Sequence, residues 1–480
     1  MISQKIAVIC SQIQPIIMRL SNVVAFGFII TLGVFSSCKK DIADKPAEPA
    51  PTPPVKADTL SAAKLKDSTL IYTRDIYLWY KQIPASFNPQ TFEDPKGIMT
   101  AIRAYSVETG YSTPVDRWSF AMKKTEWNNM SMGISSTSEE DQHDFGLNVF
   151  FRADNDLRVR QVEKASPAGL AGIRRGWRIT RINGSSNINT ANSSLVVKGV
   201  YESENSTFTF VKPDGSSVDM TLKAAGYQEN PVVLDSVYTE GGKKVGYLVF
   251  NSFLGDTAQI YRDLSAVFSR FGEQQVKELI VDLRYNGGGY VNVQEKLANY
   301  IINASSNGQI MMQEKFNDKY TSFNNTTLFA KAGNVNATRV SFIVSNLTAS
   351  ASELLINNLR PYMDVRIVGP SKTHGKPVGY FPIPVGDWYV FPVSFRTVNK
   401  NGESDYFGGL SLTNQVADGI DKDWGDRNES ALGYILNGLK NGNYRTDGTT
   451  EASVDPRIES INTGLKGNIF EGTIDSRIRF

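Results

Sequence analysis

Residues 278–290 read ELIVDLRYNGGGY, an apolar run followed by a polar turn and three consecutive glycines. The apolar part is typical of a buried strand, and the pattern from Val291 to about Ile302 is helical. A strand, a loop and a helix in this order predict an α/β unit in which helices pack on a sheet. The glycines let backbone N–H groups converge on one point, which suits a phosphate or an oxyanion. No Gly-Lys-Ser/Thr follows, so the loop is not a P-loop.

The same alternation continues on both sides of this stretch. Its repetition predicts an α/β domain over residues 227–440, with ligands gathering where the strands end. The predicted strands cover 245–250, 339–345 and 365–369, and the predicted helices cover 257–271 and the stretch from about 350 to Pro361.

Three other regions of the folded part differ in pattern. Apolar residues at helical spacing predict a helical N-terminal domain over 58–130. Short alternating strands and turns, including a hairpin around Pro213-Asp214-Gly215, predict a β domain over 131–226. Residues 441–480 are rich in Gly, Asn, Thr and Ser, which indicates a loosely packed C-terminal tail. The fold class is therefore multidomain α+β.

The first 57 residues are predicted to lie outside the fold. Residues 22–37 are apolar but short for a membrane span, and small residues precede Cys38. This is the layout of a secretory signal over 1–37, followed by a proline-rich tether over 38–57. The junction resembles the lipobox of bacterial lipoproteins, which implies cleavage before Cys38 and lipidation of that residue. An uncleaved anchor helix is the alternative.

Composition limits the chemistry. With 51 basic and 49 acidic residues, the net charge of +2 gives no reason to expect a nucleic-acid partner. Cys10 and Cys38 are the two cysteines, and both precede the folded part, so no disulfide or thiol nucleophile is expected there. His143 and His374 are the two histidines, too few for a multi-histidine metal site. No cofactor or metal is predicted.

Two further junctions carry candidate reactive groups. The stretch NLTASASE (346–353) places serines at the start of a helix, where a hydroxyl can cap the helix or act as a nucleophile. The stretch SKTHGKPVGY (371–380) offers His374 and two lysines. A lysine becomes a general base when burial removes its charge, so either His374 or a buried lysine could activate a serine.

The blocks VDLRYNGGG, TASASE and THGK together resemble the C-terminal processing, or tail-specific, serine peptidases, which have a crotonase-like catalytic domain. The resemblance implies that Ser350 is the nucleophile and Lys376 the general base of a Ser-Lys dyad. It further implies that the backbone N–H groups of Gly289 and Ala351 form the oxyanion hole. His374 then takes a packing role.

Several positions depart from the family pattern or keep two interpretations. Pro377 follows the lysine where the family has Gly, and Tyr380 stands where the family has a Gln that orients the amine. The Tyr380 hydroxyl could replace that Gln. Glu353 has either a family role or a helix-capping role, and Ser352 is the best candidate for the helix cap. Asp282 is expected to form a structural ion pair with Arg284. Lys372 is expected to be a solvated surface lysine.

A second resemblance concerns residues 145–184. The stretches FGLNVFF, SPAGLAGI and GWRITRING resemble a PDZ domain, which implies that Phe145, Gly146 and Leu147 form a loop that captures peptide C-termini. DRWS (116–119) and VADGIDKDWGD (416–426) also resemble the subgroup found in exported bacterial lipoproteins.

The sequence therefore predicts an exported serine endopeptidase that cleaves proteins near free C-termini. It would be held at the cell envelope, most simply the outer membrane, by a lipid on Cys38. Two alternatives remain: a catalytically idle envelope scaffold that binds peptides, and a hydrolase of carbohydrate or lipid esters.

Overall fold

The computed structural model describes residues 60–135, 144–444, 456–465 and 470–478. The predicted signal, Cys38, the proline-rich tether and His143 lie outside these residues. Within the described ranges, no helix has both the length and the apolar character needed to cross a membrane.

The first region is mainly helical but also contributes a strand. Ser61 caps the first helix by accepting from the Lys64 N–H, and Asp94 caps the second, with a proline at its first position. Strand β1 pairs antiparallel with the distant strand β19, residues 388–391. The purely helical prediction for 58–130 is therefore wrong at β1, because no local pattern reports so remote a partner. The elements are α1 Ala62–Ile76, α2 Pro95–Ile102, β1 Phe120–Lys123, α3 Lys124–Ser131 and β2 Ile134–Ser135.

The second region is a five-stranded antiparallel sheet with the order β3-β4-β5-β6-β7, so that β3 is an edge strand. The hairpin predicted around Pro213-Asp214-Gly215 joins β6 to β7. An Asn-Gly turn also follows β5: Asn183 and Gly184 have positive φ, at 50° and 80°, and Ile182 and Ser185 form a bridge across the turn. The elements are β3 Leu147–Ala153, β4 Asp156–Val162, α4 Pro167–Leu170, β5 Arg178–Ile182, α5 Ser193–Val197, β6 Asn205–Val211, β7 Ser217–Lys223 and β8 Tyr227–Gln228.

The third region is built on a six-stranded sheet with the order β21-β16-β15-β11-β10-β9. Its strands are parallel except β9, an antiparallel edge. The predicted strands and helices of 245–369 are found with ends shifted by a few residues. The elements are β9 Val232–Glu240, β10 Lys243–Phe250, α6 Thr257–Glu273, β11 Glu278–Asp282, β12 Gly288–Tyr290, α7 Val291–Ile301, β13 Ile310–Phe316, β14 Asn325–Leu328, β15 Arg339–Ile343, α8 Ala351–Leu359, β16 Asp364–Gly369, β17 Val378–Gly379, β18 Ile383–Val385, β19 Trp388–Phe391, β20 Phe395–Asn399, β21 Asn414–Gln415, α9 Ser430–Asn441, α10 Pro456–Gly464 and β22 Gly472–Ile474.

The sheet order explains why the three candidate loops meet. Strands β11, β15 and β16 are parallel neighbours, and each candidate loop leaves the carboxyl end of one of them. Parallel strands end at the same edge of a sheet, so the glycine loop, the serine loop and the lysine loop converge there.

The last described stretch is packed, so the expectation of a loose tail is wrong for these residues. Strand β22 pairs in parallel with β12, and Ile474 forms a bridge with Tyr380 on its other side. Leu465 and Ile474 are 1% and 0% exposed. Each is an isolated apolar residue in a polar stretch, and the surfaces that bury them come from distant parts of the chain.

Candidate active site

Ser350 occupies the turn that leads into helix α8. It is fully buried, and its backbone has φ 62° and ψ −111°. A non-glycine residue rarely adopts a positive φ, and such strain concentrates at functional sites. Ser350 is also the N-cap position of α8, while Ser352 lies inside the helix and its hydroxyl donates to the Asn286 carbonyl at 3.0 Å. The assignment of the cap to Ser352 is therefore wrong.

Lys376 is buried, with 1% of its surface exposed. Its Nζ donates to the Glu471 carbonyl at 3.2 Å, and it lies 3.9 Å from the centre of the Tyr380 ring and 5.6 Å from that of Trp118. Burial lowers the pKa of the amine well below its ordinary value, although the charges of Asp116, Glu471 and Glu353 oppose the shift. The lowered pKa favours the neutral amine, the form that can accept a proton.

Glu353 joins the serine loop to the lysine loop. Its carboxylate accepts hydrogen bonds from the backbone N–H groups of Ser350 at 2.8 Å, Gly375 at 2.6 Å and Lys376 at 2.8 Å. The Thr373 hydroxyl donates a fourth bond at 2.6 Å. Burial raises the pKa of this carboxyl, and the four hydrogen bonds oppose that effect. The helix-capping interpretation of Glu353 is confirmed, and the same carboxylate also holds the backbone of the lysine.

The glycine loop allows the closest approach at the site. A Cβ placed on Gly288, where φ is 108°, would lie 2.9 Å from Ser350 Cβ and 2.5 Å from the Gly472 carbonyl oxygen. A Cβ on Gly289, where φ is 139°, would lie 2.2 Å from the Leu254 nitrogen. No side chain fits at either position. Gly288 therefore lies beside Ser350 and Gly289 beside Leu254. Ala351 is the first residue of α8, so that its N–H is at the positive end of the helix.

Asn286 was not singled out from the sequence, although it lies in the VDLRYNGGG block. Its side chain donates to the Phe250 carbonyl at 2.8 Å and accepts from the Gly288 N–H at 2.9 Å. Its own carbonyl accepts from the Ala349 N–H at 3.0 Å. The residue thus holds the glycine loop against the serine loop, and its position inside the motif is the signal that could have revealed it.

Two aromatic residues enclose the lysine. The Tyr380 hydroxyl donates to the Glu471 carbonyl at 2.9 Å, so it is the ring of Tyr380, rather than its hydroxyl, that contacts the Lys376 amine. The indole N–H of Trp118, from the DRWS block, donates to His374 Nε2 at 3.0 Å. His374 therefore accepts a hydrogen bond from the N-terminal region, which precedes the six-stranded sheet in the chain. Tyr380 was expected to support the lysine through its hydroxyl, whereas its ring contact and the contact of Trp118 were not predicted.

The two proposed catalytic groups have separate partners. The Ser350 hydroxyl is hydrogen-bonded to the Thr473 hydroxyl, and the Lys376 amine to the Glu471 carbonyl. Among the hydrogen bonds of the described residues, none joins Ser350 Oγ directly to Lys376 Nζ. Thr473 and Glu471, from one short segment, thus contact both groups.

The structural and surface roles expected of Asp282, Arg284 and Lys372 are confirmed. Arg284 is 1% exposed and donates to Asp282, Asp418 and Glu429 at distances of 2.7–2.9 Å. Lys372 is exposed. In the described ranges, no group of three or more His, Cys, Asp or Glu side chains is arranged to hold a metal ion.

The predicted peptide-capture loop begins the five-stranded sheet. Phe145 is fully buried, and its carbonyl accepts from the Ala168 N–H at 2.9 Å. Gly146 has φ 74°, and a Cβ there would overlap the Ser166 side chain. Leu147 begins the edge strand β3. The loop is therefore close to helix α4, at one end of the edge strand β3.

Comparisons with known proteins agree with this geometry. The model of peptidase family S41 matches residues 244–410. A "Probable CtpA-like serine protease" of Staphylococcus aureus is 30% identical over 266 residues, and its Staphylococcus saprophyticus counterpart is 26% identical over 223. The first alignment covers 55% of this chain and 49% of the relative, and the second covers 46% and 42%. The chain thus spans about half the length of the curated relatives it matches.

The fold comparison extends further along the chain. A crystal structure of a candidate S41 protease from Bacteroides fragilis superposes with a TM-score of 0.64 at 23% identity, covering 78% of this chain and 97% of that one. Ser350, Lys376, Glu353 and the glycine loop all lie within the matched range 244–410. Residues 244–410 of this chain therefore match peptidase family S41, and the wider chain shares the fold of a candidate S41 protease.

Proposed function

We propose that the protein is a serine endopeptidase that uses Ser350 and Lys376. Ser350 Oγ attacks the scissile carbonyl while Lys376 Nζ takes the hydroxyl proton. The N–H groups of Gly289 and Ala351 stabilise the oxyanion of the tetrahedral intermediate. The protonated amine then gives its proton to the leaving amine, and a water repeats the sequence on the acyl-enzyme.

One observation carries the proposal: a lysine in the site is buried beside aromatic rings and a carbonyl, with its pKa lowered well below the ordinary value. A protonated amine cannot act as a base, so the loss of its charge is the chemical requirement for a Ser-Lys dyad. Glu353 supports the same conclusion, because one carboxylate binds the backbone of both proposed catalytic residues.

The setting of the enzyme is part of the proposal. The substrates are proteins or peptides with free C-termini, which a PDZ-like domain over 131–226 would bind through the loop of Phe145, Gly146 and Leu147. Cys38 would carry a lipid that holds the enzyme at the cell envelope. These assignments rest on the sequence resemblance, and no nucleic acid, metal or cofactor is required by the mechanism.

The decisive experiment compares Ser350→Ala with Ser352→Ala, a matched serine two residues away. Cleavage of an unfolded protein substrate should fall by at least about 10³-fold in Ser350→Ala, because the nucleophile is lost. Ser352→Ala removes only a bond to the Asn286 carbonyl and should retain most of the rate. Fragment formation followed by mass spectrometry measures both.

Other outcomes would identify the alternatives. If the unaltered protein binds peptides but releases no fragments even after prolonged incubation, the idle-scaffold hypothesis is correct. Turnover of small carbohydrate or lipid esters without any protein cleavage would instead support an ester hydrolase.

A further inference from the structure

Residues 470–478, here called the inserted segment, run through the site where a substrate would have to lie. Strand β22 within it pairs in parallel with β12 of the glycine loop on one side. On the other side, the Tyr380 N–H donates to the Thr473 carbonyl at 3.0 Å, and the Asp475 N–H donates to the Tyr380 carbonyl at 3.2 Å. The segment thus adds a strand between two loops of the catalytic domain, as an extended peptide does in strand addition.

The inserted segment also contacts the reactive groups themselves. Thr473 engages the Ser350 hydroxyl, and the Glu471 carbonyl accepts from the Lys376 amine. The Gly472 carbonyl oxygen is so close to Gly288 that a Cβ there would meet it at 2.5 Å. A substrate carbonyl could reach Ser350 only after these residues leave.

Packing and charge hold the segment in place. Ile474 is fully buried in a cluster that includes Tyr380 and Phe391. The Arg477 guanidinium forms ion pairs with Asp475 at 2.9 Å and with Glu295 of α7 at 3.0 Å. The preceding helix adds a further attachment, because the Asn462 side-chain amide pairs with the N–H and the carbonyl of Phe151 on strand β3, at 2.7 and 2.8 Å.

The fit is selective at one position. A Cβ on Gly472 would lie 2.4 Å from the Tyr380 hydroxyl oxygen and 2.2 Å from the Phe470 ring. A residue without a side chain at this point lets the backbone lie against both the glycine loop and Tyr380. A segment packed in this way resembles a bound ligand more than a surface loop.

We propose that residues 470–478 are an intramolecular competitor that occupies the substrate strand position and keeps the peptidase latent until the segment is displaced. The part of this inference that calls the protein a peptidase rests on the proposed function. Whether the segment occupies the substrate position can be tested separately, by peptide binding alone. The apparent rate is proportional to the fraction of molecules whose site is open. A segment bound in nine molecules of ten therefore lowers the rate about ten-fold.

Ile474→Asp in the full chain tests the proposal, because a carboxylate in an apolar pocket should expel the segment. Ile71→Asp on helix α1 is the matched control, since that isoleucine is 64% exposed and lies outside the proposed peptide-binding region. We expect Ile474→Asp to raise kcat/KM for an unfolded protein substrate by about ten-fold or more, and Ile71→Asp to leave it unchanged. Arg477→Ala, a milder change that removes the ion pairs, should raise it by a smaller factor. Thermal melts of all three variants confirm that they are folded.

A binding experiment separates this inference from the catalytic one. A labelled peptide FEGTIDSRI, equivalent to 470–478, should bind Ile474→Asp at least about ten-fold more tightly than the unaltered protein, and a scrambled peptide should not. If Ile474→Asp binds the peptide more tightly but no variant cleaves protein, the segment does occupy the substrate position and the proposed peptidase function is wrong. The competitor role is wrong if cleavage depends on Ser350, Ile474→Asp and Arg477→Ala leave its rate unchanged, and the variants bind the peptide no more tightly than the unaltered protein. The competitor role is also wrong if the unaltered protein rapidly cleaves off its own residues 470–478, because the segment would then be a substrate.

Discussion

Arg284 and Lys376 are both basic, and each is about 1% exposed, yet their surroundings are opposite. Arg284 follows strand β11 and meets three carboxylates, those of Asp282, Asp418 and Glu429. Lys376 follows β16 and meets a carbonyl and two aromatic rings. Burial works against both charges, but the carboxylates raise the pKa of Arg284 well above its ordinary value, while that of Lys376 is well below.

The difference shows that burial alone does not identify a reactive group. A buried cation with matched anions keeps its charge and ties elements together, as Arg284 ties β11 to the start of α9 through Glu429. A buried amine whose direct partners are uncharged favours its neutral form and can move protons. The comparison therefore predicts that substitutions at the two positions separate activity from stability.

The largest expected effect is on activity at the lysine. Lys376→Met keeps the length of the side chain but removes the amine, so kcat/KM for a protein substrate should fall by at least about 10³-fold. The free energy of unfolding should be unchanged or higher, because a poorly compensated buried amine is removed. Lys372→Met, at the exposed lysine of the same loop, is the control and should alter neither quantity. Substantial activity in Lys376→Met would mean that another group is the base.

The next effect is on stability at the arginine. Arg284→Met leaves three carboxylates without their shared cation, so the free energy of unfolding should fall by about 3–5 kcal/mol. Urea denaturation followed by fluorescence measures this loss, and Arg360→Met at an exposed site provides the comparison. If the free energy of unfolding falls by less than about 1 kcal/mol, this ion-pair network is not the main interaction that stabilises the end of β11.

The smallest effect is the pH dependence of stability that Lys376 contributes. Its pKa is depressed in the folded protein, so between that value and the ordinary lysine value of 10.5 the unfolded chain binds more protons. The free energy of unfolding should therefore rise with pH across this window, by up to about 1.4 kcal/mol per pH unit from this group. The destabilisation is complete below the folded pKa and absent above the unfolded one.

Lys376→Met supplies the control for that slope. Subtracting its pH curve from that of the unaltered protein isolates the contribution of the amine. A flat difference between pH 7 and 10 would mean that the amine keeps its charge in the fold, and the contrast with Arg284 would disappear.

The sequence was sufficient where chemistry and pattern are local. The strand, glycine loop and helix of 278–301 follow from apolar runs and glycines, and the strands at 339–343 and 364–369 repeat the pattern. Parallel strands then bring their carboxyl ends to one edge. This rule predicts that the loops of Ser350, Lys376 and Gly289 lie together, and in the structure they lie at that edge.

Local patterns could not report contacts between segments far apart in the chain. Strand β1 pairs with β19, Trp118 lies beside the lysine, and Thr473 reaches Ser350, each across a long interval of sequence. The residues after 455 looked like a polar tail because their few apolar side chains are widely spaced. By itself, then, the sequence determined the α/β pattern and the residue types at the site, because secondary structure and chemical identity are local properties. Only the tertiary structure decided how deeply Lys376 is buried and what occupies the cleft, because burial and occupancy depend on surfaces that distant segments build together.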